Sequence, residues 1–171
     1  MNIDDDDKKQ WFKDGALHRE DGPAITSAAG TKQWWVNDVL HREDGPAIER
    51  SSGTKAWYQN GLLHRKDGPA IEWINGHKEW FIGGERHRLD GPAFESNNGT
   101  NEWWVNGQRH REDGPAIEYL GRYLEWWVNG EQHREDGPAV IWVDGRQEWW
   151  LNNKYYTYEE FTCYLFSKGI I

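Results

Sequence analysis

His18, His41, His64, His87, His110 and His133 stand 23 residues apart, and each is followed at once by Arg and, three residues on, by Asp. An imidazole beside a carboxylate is the pairing used for acid–base catalysis and for metal ligation. The spacing argues against both. Strands about 4.8 Å apart put equivalent residues of successive two-stranded repeats about 10 Å apart, whereas donors to one ion converge to within about 2.5 Å of it. One His and one Asp per repeat are too few for a site of their own, and His77 stands out of register. No metal and no cofactor is therefore expected. The residues His41, Arg42, Asp44, His64, Arg65, Asp67, His110, Arg111 and Asp113 are read as a structural loop ladder, with Arg lying on Trp faces and Asp accepting from His, Arg or backbone donors. No Ser or Cys sits in a nucleophile-elbow pattern, and the glycines punctuate turns rather than cradle phosphate. The chain is not expected to be an enzyme.

The elements that position these residues follow from the period. His-Arg-x-Asp-Gly-Pro-Ala recurs six times without insertion, which means one supersecondary piece stacked on itself. Aligned on the His, one column is Trp throughout: Trp11, Trp34, Trp57, Trp80, Trp103, Trp126 and Trp149. The next is always aromatic, and turn pairs such as Asn60-Gly61 and Asn106-Gly107 follow. Aromatic and β-branched residues closed by Asn-Gly mark a strand entering a hairpin. A second strand begins at the Ala after Pro, as in Ala70 to Ile74 or Ala139 to Val143, and ends at another turn pair.

The fold class implied is an all-β repeat array, an antiparallel meander of six 23-residue β-hairpin repeats and a partial seventh over residues 9–154. At two strands per repeat this makes about thirteen strands. Neighbouring residues in a strand face opposite sides, so the Trp column and the aromatic after it lie on different faces and both need cover. The unchanging Trp column reads as core, and the Gly-Pro loop as the cover of one face, with Gly permitting a tight reversal.

Residues 155–171 break the pattern. Thr157-Tyr158-Glu159-Glu160 is a capping-box sequence, Phe161 and Leu165 fall on one helical face, and Gly169 can end the helix. A short helix over about 158–168 is expected to cap the array. At the other end, residues 1–8 carry four Asp and a Lys in the pattern of an engineered protease site; they read as a disordered or engineered acidic leader.

The net charge of −9 argues against nucleic acid as a partner, since phosphate binding needs clustered Lys and Arg. Cys163 is the only cysteine, so no internal disulfide forms. No apolar run reaches the roughly 20 residues of a membrane span. A cytoplasmic location is expected, the host cytoplasm if the chain is phage-encoded.

Specificity needs positions that differ between repeats, because a partner cannot distinguish identical ones. Counted from the Trp, residue 16 is Thr26, Glu49, Glu72, Glu95, Glu118 or Ile141, and residue 17 is Ser27, Arg50, Trp73, Ser96, Tyr119 or Trp142. Trp73, Tyr119 and Trp142 are the candidate partner-binding aromatics. The fifth repeat also departs locally, with Gly121 one place early and Arg122 where Gly is usual.

The repeat Trp-Trp-Val-Asn-Gly-x-x-His-Arg-x-Asp-Gly-Pro-Ala-Ile-Glu resembles a variant of the MORN repeat, in the form found in phage, bacterial and giant-virus proteins. The resemblance covers residues 9–154. It implies a β-hairpin array used as a scaffold for protein or membrane contacts, with some members antitoxin-like. The doubled aromatics and the Arg-x-Asp-Gly-Pro segment depart from the ordinary pattern, so lipid binding is not carried over. The expected function is a non-enzymatic protein-interaction scaffold that engages a host protein, either inhibiting it or serving as the trigger of an antiviral sensor. The alternative is a small-ligand or glycan binder using exposed aromatics. A homo-oligomer is compatible with either.

Overall fold

The computed structural model describes residues 2–3, by their backbone alone, and 8–170. Most of the acidic leader, including its four Asp, lies outside the described residues. The chain divides into two compact units, one up to Arg86 and one from His87. Both are antiparallel β-meanders, and the second ends in the helix.

In the first unit the ladder runs through Lys9–Gln10, Ile25–Thr26, Lys32–Gln33, Ile48–Glu49, Lys55–Ala56, Ile71–Glu72 and Lys78–Glu79, each antiparallel to the next. Asn2–Ile3 pairs with Lys9–Gln10. In the second unit the ladder runs from Phe94–Glu95 through Thr100–Glu102, Ile117–Tyr119, Tyr123–Glu125 and Val140–Trp142 to Gln147–Leu151 and Lys154–Tyr156.

The strands are shorter and more numerous than the pattern suggests. The expected single strand through the Trp forms at Trp149, within Gln147–Leu151, but at Trp57 it breaks: Lys55–Ala56 belongs to the ladder, while Tyr58–Gln59 pairs with Leu62–Leu63 in a separate small hairpin. The Trp is the pivot. Its N–H donates to the Ala70 carbonyl at 2.8 Å, and its own carbonyl accepts from the His64 N–H at 3.0 Å, so one residue serves two sheets. The same pair of bonds recurs at Trp11, Trp34, Trp103 and Trp126. The second strand is also shorter than expected, because Trp73 already donates its N–H to His77 across a turn. The small hairpins close as the Asn-Gly pairs require, with φ of 51° at Asn60 and 79° at Gly61.

The core differs from the expected one. The wholly enclosed column is the Ala after Pro, with Ala24, Ala47 and Ala70 in the first unit and Ala93, Ala116 and Ala139 in the second all 0% exposed. The Trp column is only half-buried. A methyl fits where the Trp N–H must reach the Ala carbonyl, and the large indole lies at the edge of that layer. The helix α1, Tyr158–Lys168, forms where the sequence places it, with the Thr157 and Glu160 capping box complete and Gly169 in the left-handed conformation. Phe161 is its buried residue, and Tyr158 meets Trp149 at 5.3 Å between ring centroids.

Candidate functional site

The repeated loop is a lock built around Arg. The Arg65 guanidinium lies 4.1 Å from the Trp57 ring, and Arg42, Arg111 and Arg134 lie 4.0 Å from Trp34, Trp103 and Trp126. On its other side is the Gly of Gly-Pro: a Cβ on Gly68 would sit 2.9 Å from the Arg65 Cζ. This glycine sits in the bend of the loop and is needed for close approach, not for positive φ. The edge of the fork is satisfied as well. Arg111 donates from Nε to Asp113 at 2.8 Å, and from Nη1 to the Pro115 carbonyl at 3.1 Å and to Glu118 at 2.8 Å.

Glu49, Glu72 and Glu95 receive the same Nη1 bond from Arg42, Arg65 and Arg88, so residue 16 of the repeat belongs largely to the scaffold and not to the variable surface. Hydrogen bonding to Arg holds the carboxyls of Asp21, Asp44, Asp90 and Asp113 below the ordinary range. Their folded-state values being depressed, that support is present above the ordinary carboxylate range and fades as pH falls through the lowered values. The Asp side chains are well exposed, so each pairing contributes little.

The histidines clamp one repeat to the next within each unit. His41 Nδ1 accepts from the Asn60 N–H at 3.2 Å, and His110 Nδ1 from the Asn129 N–H at 3.1 Å. Where Gly83 stands in the turn there is no side chain to compete, and His64 Nδ1 accepts from its N–H at 3.1 Å. A ring that accepts at Nδ1 carries its proton on Nε2. In His41 and His110, Nε2 faces Glu43 and Glu112 at 3.7 and 3.9 Å. Lys66 replaces that carboxylate beside His64, whose buried Nε2 has no hydrogen-bond partner among the described residues. Among the described residues no three His, Cys, Asp or Glu side chains are grouped to hold a metal ion.

A different kind of surface lies in the second unit. Tyr119 and Trp142, two of the three candidate aromatics, line one open groove of about 540 Å³ together with Leu120, Tyr123, Leu124 and Val143. Leu120 is 72% and Val143 76% exposed, which is unusual for adjacent large apolar side chains. Tyr119 and Tyr123 meet at 5.3 Å between centroids. Burial, with Glu125 next in weight, pushes the Tyr123 phenol up from its usual pKa. Trp73 is not part of this groove: it lies in the first unit, edge-on to His77 at 6.3 Å.

The groove sits where the repeat pattern breaks. In the third repeat the pairs Ile71↔Glu79 and Glu72↔Lys78 close on a turn in which Trp73 donates to the His77 carbonyl. The first, second, fourth and sixth repeats close their turns with the equivalent bond. The fifth gains one rung, Tyr119↔Tyr123, while its Arg122 N–H donates to the Tyr119 carbonyl at 2.9 Å just as the Gly76 N–H does to the Trp73 carbonyl in the third. Gly121, with φ of 70°, makes the tighter turn possible. The displaced glycine in the sequence was the signal for this departure; Leu120, Leu124 and Val143 carried none. No protein-family model matches the chain, and a search of curated proteins returns no match.

Proposed function

We propose that the chain is a non-enzymatic protein-interaction scaffold of MORN-like repeats and that its contact site is the groove around Tyr119 and Trp142. The observation that supports this reading most is a coincidence of place: the altered ladder turn of the fifth repeat and the ordinary turn of the sixth together line the apolar groove, with Leu120 and Val143 exposed. Repeated residues hold the array together through the Arg lock and the His clamp, so they are already engaged. A glycan is the weaker reading, because the groove is lined mainly by apolar side chains and its Glu118 carboxylate is bound to Arg111. The engaged protein is a host protein if the chain is phage-encoded, which places the interaction in the host cytoplasm.

The test is retention of a protein partner from a cognate cell lysate by immobilised full-length chain. Tyr119→Ser with Trp142→Ser is expected to reduce retention at least about tenfold, the loss of aromatic anchors being worth roughly 2 kcal/mol or more, while circular dichroism stays unchanged. Trp73→Ser is expected to bind normally. Normal binding by the groove variant, combined with loss in a folded Asp113→Asn variant, would place the contact on the loops instead.

A further inference from the structure

The polar groups around the groove define what it selects, and the inference rests on the reading of the groove as a protein contact. Glu118 is bound to Arg111 at 2.8 Å. Asp144 is occupied on both oxygens, by the Arg146 backbone N–H at 3.1 Å and the Arg146 Nε at 2.8 Å. Arg122 is exposed and makes no ion pair among the described residues. Its guanidinium lies 5.0 Å from the Tyr119 ring, a contact that orients the flat fork and leaves its edge available. Among the residues that line the groove the uncompensated charge is therefore positive; Glu125, which acts on Tyr123 from outside that lining, is held by Trp127 Nε1 and Gln132 Nε2.

Two constraints follow. The local cation favours one carboxylate within a few Å of the apolar wall, where a guanidinium and a carboxylate form paired hydrogen bonds. The acidic chain as a whole repels a run of negative charge at distances up to the Debye length of about 8 Å. We infer that the groove takes a short apolar peptide segment of a partner protein, carrying a single Asp or Glu beside a large apolar side chain, with that carboxylate on Arg122 and the apolar side chain against Leu120, Tyr119 and Trp142.

Selection of a random-peptide display library on the full-length chain tests this directly. Enriched peptides are expected to share one acidic residue next to Leu, Phe or Trp and to lose about tenfold or more in affinity on Arg122→Glu, as charge reversal at a paired site predicts. Replacing the peptide acid by Lys should restore binding to Arg122→Glu. If Arg122→Glu misfolds by circular dichroism, Arg122→Gln takes its place, with loss of affinity again expected. Peptides held equally by wild type and a folded Arg122 variant, yet lost on Tyr119→Ser with Trp142→Ser, would overturn the charge assignment and leave the groove as a contact. Peptides indifferent to both sets, or no enrichment, would overturn both. Displacement of the peptides by decanoate, at concentrations where decylamine is inert, would move the assignment to a free fatty acid and overturn the peptide.

Discussion

Trp57→Ala is expected to destabilise the first unit by about 3 kcal/mol, the low end for removing a large aromatic because this indole is half-buried. The substitution removes the shelf on which the Arg65 guanidinium lies at 4.1 Å. Arg65 would keep Asp67 and Glu72 as partners but would lose the face that fixes its plane, and Ala70 beneath would no longer be sealed from water. For a chain of this size the loss corresponds to a drop in melting temperature of roughly 6 to 12 °C. Trp57→Phe retains a ring face and should fall between the two. Thermal unfolding followed by near-ultraviolet circular dichroism measures it. An unchanged melting temperature in Trp57→Ala would show that the stack is decoration on a fold held by its ladder alone.

Arg86→Ala should cost a comparable amount, about 3 kcal/mol, for a different reason. Glu79 is 7% exposed, and one of its oxygens accepts from both Nε and Nη2 of Arg86, at 2.8 and 2.6 Å. Deleting the cation leaves a carboxylate enclosed without its partner, whereas deleting the carboxylate leaves a cation whose side chain is 34% exposed and can turn to water. Glu79→Ala is thus expected to be milder than Arg86→Ala. The double substitution Glu79→Leu with Arg86→Leu should recover most of the loss, since the equivalent positions 23 residues earlier are already filled by Ala56 and Leu63. Chemical denaturation of the three variants decides it. Equal losses in both single variants and no recovery in the double would mean that the pair contributes through packing rather than through charge compensation.

The architecture was legible because the sequence repeats its instructions. The Asn-Gly pairs, the capping box at Thr157 and the terminal Gly169 each act through local backbone geometry, and each forms as its residues dictate. Arg on the Trp face was also readable, since an Arg recurs in step with the indole in all six copies, whereas the Lys two residues before the Trp recurs in four. What could not be read was the division of labour within the repeat. A Trp in every copy suggests an enclosed core, but the enclosed residue is the Ala, because the Trp backbone bridges the ladder and the small hairpin and its indole must serve the Arg.

Glu49, Glu72, Glu95 and Glu118 looked free because the column varies at Thr26 and Ile141, yet all four complete the Arg fork. The second aromatic column holds a similar hidden rule. Trp104, Trp127 and Trp150 donate from Nε1 to the carboxylate two residues earlier, while Tyr58 follows Ala56, which offers no acceptor. Of the candidate contact residues, Tyr119 and Trp142 come together because the turns of consecutive repeats lie side by side in the second unit, whereas Trp73 belongs to the first.

The central claim is that the unchanging residues hold the array and that contact is made where the repeat pattern breaks. Amide hydrogen exchange on the full-length chain, with and without the partner protein it retains, tests this most directly. The account predicts new protection confined to about residues 119–124 and 141–146, with the amides of the Arg loops at 87–92 and 110–115 unchanged. Protection spread over the Arg loops, with none in the groove, would contradict it.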